Sequence, residues 1–404
     1  MTGVDDSARL PAFPFEDAGE LGPGPRYAEF RERAGLSRVD MPYGGPAWLA
    51  TRMADVKTVL GDSRFSRTAS ARPGAPRYTP EPLPSGGVLV GLDAPDHTRI
   101  RRLVAKALTP RLMDGMRPWI RKTVDEILTT MIDQGPPADL VHELGDRLPR
   151  ETVCKLLGMP YRDRDRFDES VDVVVSMATR SRDDVGRAWS TLSAYIGELV
   201  RHRRTAPEDD LISALLAVRH DGDGFSEREV ITNAIAILVA GYESTATLIT
   251  SMVYVVITHP GLAAGMRADP AGIPAGVEEL LRYIALSPSG AMTCTALEDV
   301  AIGETMVRKG DAVVPCLVSA NYDEAVFENP GVLDPERPGA GRHVAFGFGP
   351  HFCMGARLAR IELQETLTAI VQTMPSLRLA VDPKWLPRRD GMGMRGFARL
   401  PVTW

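Results

Sequence analysis

Apolar residues recur every three or four positions along most of the chain, and this spacing predicts amphipathic α-helices. The pattern is clear in "RMADVKTVLGD", "ETVCKLLGMP" and "RAWSTLSAYIGELVRHRR". The alternation typical of β-strands is confined to two short stretches, "AWLAT" and "DVAIGETMVRKGDAVVPC", and in the second Gly303 and Gly310 favour hairpin turns. We therefore expect a mainly α-helical protein with a smaller β part at its side.

The longest apolar stretch, "FSEREVITNAIAILVAGYESTATLITSMVYVVITHP", predicts a single helix over residues 226–259. Ser226 and Glu229 have the spacing of a capping box, and Pro260 marks the end of the helix. A helix of this length spans roughly 48 Å. Because Glu243 interrupts the apolar run near its middle, we expect a buried central helix rather than a membrane span.

The centre of this helix is unusual because it contains both Gly241 and Glu243. Glycine destabilises a helix interior by about 1 kcal/mol relative to alanine, and a buried carboxylate must be paired or solvated. In one interpretation, Gly241 lets a flat ligand approach the backbone, and Glu243 with Ser244 delivers protons. In the other, the glycine forms a kink and water satisfies the carboxylate.

Residues 68–90 show neither the helical nor the strand period of apolar residues. The stretch "TASARPGAPRYTPEPLPSGGV" is rich in proline, glycine and serine. Loops of this length are binding loops, lids or disordered insertions. We favour a lid over a substrate site.

Composition narrows the class of protein. The chain has 404 residues, of which 44% are hydrophobic, so it can bury a large core. A net charge of -6 argues against nucleic acid as the main partner. Its four cysteines are too scattered for a disulfide framework, which suits a reducing cytoplasm, and the first residues carry no signal or anchor pattern.

One cysteine has an unusual setting, "FGFGPHFCMG" at residues 346–355. The glycines predict a sharply turning backbone with N–H groups aimed at Cys353, and a helix that follows from Met354 should lower the pKa of the thiol. His351, two residues away on an extended loop, points to the opposite side and is a poor base for a nucleophile. No further cysteine or histidine lies near enough in sequence for zinc. A single axial thiolate to haem iron remains.

The same stretch resembles the haem-binding loop of the cytochrome P-450 monooxygenases, in the pattern Phe-Gly-x-Gly-x-His-x-Cys-x-Gly. Three further elements follow the family's order: "AGYES" at residues 240–244, "EELLR" with Glu279 and Arg282, and "DPERP" with Arg337. The resemblance covers essentially the whole chain. It implies one domain over residues 1–404, a triangular helical fold with small antiparallel sheets at the side, and haem b between the central helix and the cysteine-loop helix.

The resemblance also implies roles for individual residues. Cys353 would bind the iron, Glu243, Ser244 and Thr245 would act in proton delivery, and Glu279, Arg282 and Arg337 would form a structural salt-bridged triad. The remaining haem contacts would come from His97, Arg101, Ala240, Gly241, Phe346, Gly347, His351 and Gly355. Among these, His97, Arg101 and His351 match the positions that hold the haem propionates.

The helix after Pro95 has a second face that carries Arg99, Arg102 and Lys106. With Arg357 and Arg360 beyond the cysteine, this face could form a basic patch for an acidic electron donor such as a ferredoxin, itself served by a ferredoxin reductase. The alternative is a solvated charged face without a partner.

Three positions depart from the family's pattern. Ser244 stands where threonine is usual, and it keeps the hydroxyl but loses the methyl that restricts its rotamer. Cys294 stands where members usually carry an arginine to a propionate, a contact that a thiol cannot make. Tyr322 stands where arginine is common, and the sequence offers no account of it.

The stretches expected around the substrate are mostly apolar or small. The predicted lining residues are Val88, Leu89, Met177, Ile237, Ala240, Ala291, Met292 and Met392. They favour a monooxygenase that uses dioxygen to hydroxylate or epoxidise a medium-to-large natural-product intermediate. Oxidative coupling or cyclisation without oxygen insertion is the first alternative, and a catalytically silent haem-fold recruitment module is the second.

Overall fold

A computed structural model describes residues 10–15, 21–80, 88–175, 180–287, 292–389 and 394–404 of the chain. Within these residues the fold is mainly helical, as predicted. The α-helices are α1 Pro25–Glu32, α2 Met53–Gly61, α3 Asp96–Ala107, α4 Pro110–Gly115, α5 Arg117–Gln134, α6 Arg147–Leu157, α7 Asp168–Val175, α8 Arg182–Thr205, α9 Leu211–Ala217, α10 Glu227–Thr258, α11 Pro260–Ala268, α12 Ile273–Tyr283, α13 Leu317–Ala320 and α14 Ala356–Thr373.

Helix α10 is the predicted central helix, and its start shows the predicted capping box. The Ser226 hydroxyl accepts the backbone N–H of Glu229 at 3.3 Å, and the Glu229 carboxylate accepts the backbone N–H of Ser226 at 2.8 Å. Within the described residues, α10 is the one helix long and apolar enough to cross a membrane. However, 61% of its apolar window is buried inside the fold, as expected of a core helix.

The strands are β1 Ser37–Asp40, β2 Pro46–Ala50, β3 Phe65–Ser66, β4 Ala138–Asp139, β5 Cys294–Ala296, β6 Val300–Ile302, β7 Thr305–Val307, β8 Ala312–Pro315, β9 Arg378–Leu379 and β10 Pro401–Thr403. The predicted hairpin is present as β6 and β7 around Gly303. The largest sheet has the order β1-β2-β8-β5-β3. Its pairing of β2 with β8 is parallel, so this sheet is mixed rather than purely antiparallel as expected.

The main hydrophobic core lies between the helices, and α10 runs through it against α6, α8 and α14. Just before α6, residues Val141–Asp146 form a π-helical turn. A side chain at Gly145 in this turn would meet Thr250 of α10 at 2.4 Å, so glycine permits the close approach of the two segments. Two smaller cores cover the faces of the five-stranded sheet.

The structure brings the expected salt-bridged triad together at α12. Glu279 and Arg282 are both fully buried and lie 2.7 Å apart, and Arg337 approaches the same carboxylate at 3.0 Å. Arg282 also donates to the carbonyls of Asn321 and Pro330. These contacts tie α12 to the irregular segment that leads into the loop. The two guanidinium groups share one carboxylate, and backbone carbonyls accept further N–H groups of both arginines.

Tyr322 belongs to the same cluster, which explains a position that the sequence left open. Its hydroxyl donates to the Tyr283 carbonyl at 2.6 Å, at the end of α12. The Arg282 guanidinium lies 5.2 Å from the centre of its ring. Tyr322 therefore packs on the guanidinium of Arg282 and joins the end of α12 to the triad.

Candidate active site

The cysteine loop is held in a sharp turn by its glycines. Gly347 and Gly349 have positive φ values of 75° and 70°. A side chain at Gly349 would lie 2.8 Å from the Leu60 carbonyl oxygen, so the loop sits tightly against α2. The Cys353 N–H donates to the Phe346 carbonyl at 2.9 Å and closes the loop. The glycines thus fix the position of the thiol, as the sequence predicts.

The Cys353 thiol is accessible, and the backbone N–H groups of Gly355 and Ala356 point towards it. These donors and Arg101 lower its pKa, but removal of bulk water by the surrounding protein has the larger effect and raises it. The helix terminus therefore acts on the pKa of the thiol in the predicted direction, but its effect is smaller than that of burial. A bound cation supplies what the backbone alone does not, because metal binding deprotonates the ligand.

Beside the loop, two imidazole rings contact each other at an angle of 41°. The rings of His97 on α3 and His351 lie 3.9 Å apart between their centres. His97 is 3% exposed, and its Nε2 has no hydrogen-bond partner among the described residues. Arg101, one turn along α3, donates to the Phe352 carbonyl at 2.7 Å. An orphaned polar atom in this setting indicates a missing acceptor.

The electrostatics of this cluster favour an anion. Burial lowers the pKa of His97, and burial together with Arg67 and His97 lowers that of His351 to about 3. The carboxylate of Asp93 lies near, but it already accepts the Ser66 hydroxyl and the Arg67 backbone N–H. The cluster therefore fits the carboxylates of a haem edge. The haem that the sequence predicts has a suitable site here.

The centre of α10 presents one open face. Ala240 is exposed, and Ser244 lies one turn further on the same face and donates its hydroxyl to the Ala240 carbonyl at 3.1 Å. Beside them, Oε1 of Glu243 is buried without a partner among the described atoms. Burial raises the pKa of Glu243 to about 7. The carboxyl can thus take up and release a proton near neutral pH.

Two expected residues of α10 lie off this face. Thr245 is 4% exposed and belongs to the buried side of the helix. A side chain at Gly241 would meet the Val153 side chain of α6 at 3.3 Å. The close crossing of α10 and α6 therefore explains why a glycine occupies position 241, and neither interpretation from the sequence included this.

The sequence did not indicate which charged residue lies near Glu243. Arg389, more than 140 residues away, lies near enough to lower the pKa of Glu243. Arg389 is itself held by Asp146 at 2.7 Å, in the π-helical turn. Such a group is visible only in three dimensions because its members come from three separate segments.

Four of the predicted substrate-lining residues, Val88, Leu89, Ile237 and Met292, lie among the described residues and are half-buried. Met177, Ala291 and Met392 lie outside the described residues, as do residues 81–87 of the expected lid. The described part of that segment contains two short 3₁₀ turns, Ala69–Ala71 and Leu89–Gly91.

Three of the five expected docking residues are paired within the protein. Arg99 binds Asp223 and Glu229, Arg357 binds Asp114, and Arg360 binds Glu278. The prediction of free positive charge at these three positions was wrong because carboxylates distant in sequence fold against them. Arg102 and Lys106 instead contact one imidazole, that of His220, at 2.8 and 2.9 Å.

The glycine loop fixes the Cys353 thiol, and the side chains of His97, Arg101 and His351 beside it favour an anion. Helix α10 carries a carboxyl that can exchange protons. Together these features define a haem-thiolate oxygenase. The comparisons with known proteins agree. The family model described as "Cytochrome P450" matches residues 162–269 and 273–384. The chain belongs to the cytochrome P450 family, whose members are oxidoreductases that bind haem through a cysteine thiolate.

Relatives match over nearly the full length. The chain is 43% identical to nocardicin C N-oxygenase from Nocardia uniformis subsp. tsuyamanensis, over 97% of this chain and 98% of that protein. It is 41% identical to mycinamicin IV hydroxylase/epoxidase from Micromonospora griseorubida, over 98% and 100%. The solved structure of the mixed-function P450 MycG aligns with a TM-score of 0.93, at 40% identity over 98% of this chain and 100% of that one.

Proposed function

We propose that this P450 oxidises a medium-to-large natural-product intermediate by inserting an oxygen atom from dioxygen. The observation that carries the proposal is full-length identity above 40% to two oxygenases named for such substrates, nocardicin C and mycinamicin IV. The half-buried apolar residues Leu89, Ile237 and Met292 support a largely apolar substrate. Relatives at this identity span hydroxylation, epoxidation and N-oxygenation, so the outcome depends on how the substrate is placed.

In this proposal Cys353 binds the iron, and Gly355 and Ala356 donate N–H groups that stabilise negative charge on its sulfur. Haem held by a cysteine thiolate would supply the activation of dioxygen at this site. Glu243 takes up protons from solvent because its pKa lies near 7. Ser244 holds its hydroxyl on the open face of α10, where it can pass a proton onward.

Arg389 steadies this relay. Its charge keeps part of the Glu243 population ionised, and Asp146 keeps the guanidinium in place. The carboxyl of Glu243 can therefore take up another proton after each proton transfer. Thr245, buried on another side of α10, stays outside the relay.

Two measurements test the function. Cys353→Ala should abolish the red-shifted Soret band of the reduced carbonyl complex, and an unchanged band would overturn the ligand assignment. Turnover under ¹⁸O-labelled dioxygen, with substrates chosen by spectral titration of natural-product intermediates, should place one labelled atom in the product. A product without label would reject oxygen insertion.

A second candidate is oxidative bond formation without oxygen insertion. It is favoured by one relative, described as the putative thioether synthase SgvP, which aligns at 37% identity with a TM-score of 0.90. Ser244 leaves room for it, because serine lacks the methyl that would restrain the rotamer of the proton-delivering hydroxyl. The labelling experiment separates the two candidates. The silent recruitment module is set aside because the named relatives are oxygenases.

We further propose that electrons come from an acidic ferredoxin in the cytoplasm, docked on a patch formed by Arg102, Lys106, Arg219 and His220. A neutral imidazole accepts at one nitrogen only, so the two cations that contact His220 compete for one acceptor. Asp221 lies 3.3 Å from the same ring and is 86% exposed, so it offsets only part of this charge.

The patch is tested by stopped-flow reduction with a [2Fe–2S] ferredoxin. The pair of changes Arg102→Glu and Lys106→Glu should slow association about tenfold at low salt, with the difference shrinking as salt rises. Arg162→Glu, on an exposed turn outside the patch, is the matched control. Equal rates for the patch variant and the wild type at low salt would reject the docking site.

A further inference from the structure

Arg67 is a buried arginine that the sequence did not single out. It is 8% exposed and directly follows β3. One of its guanidinium nitrogens donates to the Val90 carbonyl at 3.1 Å, and the side chain also contacts the thiol of Cys294. Among the described residues its guanidinium forms no ion pair within 4 Å; the carboxylate of Asp93 favours its charge but accepts its backbone N–H, while burial disfavours that charge. A buried guanidinium without a carboxylate partner needs an anion.

The position of this guanidinium is set by strand pairing. β3 and β5 are antiparallel, with Phe65 opposite Ala296 and Ser66 opposite Thr295. Continuing this register places Arg67 opposite Cys294, and opposite residues of an antiparallel pair project to the same face. Arg67 and Cys294 therefore share one location although more than 220 residues separate them.

Arg67 and Cys294 lie beside the cluster of His97, Arg101 and His351. Asp93 joins Arg67 to the helix that carries His97: its carboxylate accepts the backbone N–H of Arg67 at 2.9 Å, and its carbonyl accepts the backbone N–H of His97 at 2.8 Å. The orphaned Nε2 of His97 lies in the same cluster. Two independent features, an unpaired buried cation and an unsatisfied buried nitrogen, thus point to one missing carboxylate.

We propose that Arg67 binds a haem propionate from β3 and replaces, across the strand pair, the arginine that is usual at position 294. A thiol at position 294 leaves room for the guanidinium that reaches over from the opposite strand. The positive charge that is missing at position 294 is then supplied by Arg67 from the neighbouring strand. This inference rests on the proposed haem site and adds a positioning residue to it.

The experiment is haem transfer from the ferric holoenzyme to excess apomyoglobin, followed by the Soret spectrum. Arg67→Ala should release haem about tenfold faster or more, because one charge-assisted hydrogen bond is lost. Adding Cys294→Arg to this variant should bring the rate back to within about threefold of the wild type. Arg64→Ala is the matched control, since Arg64 pairs with Asp62 in solvent and should leave the rate unchanged.

A second measurement tests whether the effect of Arg67 requires the propionate charge, and it includes the conservative variant Arg67→Lys. Reconstitution with haem dimethyl ester, which has no propionate charge, should remove the difference between wild type and Arg67→Lys or Arg67→Ala. If Arg67→Ala releases native haem at the wild-type rate, or if the difference persists with the diester, Arg67 does not bind a propionate. If Cys294→Arg fails to restore retention while the helical circular dichroism is normal, the replacement of the usual arginine by Arg67 is rejected. None of these outcomes depends on turnover.

Discussion

The titration of Glu243 makes a quantitative prediction about stability. Its pKa is raised from 4.5 to about 7 by burial, so between these values the folded chain holds a proton that the unfolded chain has lost. Stability therefore falls as pH rises through this window and levels off above about pH 7. Glu243→Gln cannot ionise and should lack this loss. The ionisation of Glu243 weakens the folded state by up to about 3 kcal/mol.

The assay is the melting temperature of the holoenzyme between pH 5 and pH 8, measured for both proteins by circular dichroism. Because a chain of this size gains about 1 °C per kcal/mol, the variant should gain about 2 to 4 °C relative to the wild type across the window. Ser244→Ala, a neighbour without a titrating group, is the control and should follow the wild-type slope. Parallel slopes for wild type and Glu243→Gln would refute the burial of an ionisable group at this position.

Three further predictions concern the frame of the site. Glu279→Gln should destabilise the protein by about 3 to 5 kcal/mol, because it leaves Arg282 buried without its carboxylate, and thermal melts with haem content check this. Gly349→Ala should lower the melting temperature more than Gly45→Ala. Both glycines have positive φ, but only a side chain at position 349 would meet a backbone oxygen. Equal losses of melting temperature would contradict the tight contact between the loop and α2. Tyr322→Phe removes the hydrogen bond to the end of α12 and should cost about 1 kcal/mol in denaturant unfolding, whereas an unchanged midpoint would show that the hydroxyl is unimportant.

Local patterns predicted the features that depend on neighbours in sequence. The capping box of α10 joins Ser226 to Glu229 within one turn, and the positive φ values of Gly347 and Gly349 follow from a turn that only a short stretch must form. For the same reason the sharp turn before Cys353 and the N–H groups aimed at its thiol could be predicted. The contact between His97 and His351 could not, because the two residues lie on separate segments of the chain.

The electrostatics could not be predicted in the same way. The sequence indicated a basic face, but Arg99, Arg357 and Arg360 are neutralised by carboxylates from other segments. Likewise the pKa of Cys353 depends on how much water the folded chain removes, which outweighs the helix terminus. Burial and long-range pairing are properties of the packed structure, and a linear pattern contains neither.

The sequence by itself determined the helical class, the central helix and the haem-thiolate loop, because periodicity, capping and turn chemistry act over a few residues. Only the tertiary structure decided which charges remain unpaired. It placed Arg67 opposite Cys294 through the register of two short strands, and it brought Arg389 and Asp146 to Glu243. Register and packing join segments hundreds of residues apart, and they determine where this protein can bind an anion and move a proton.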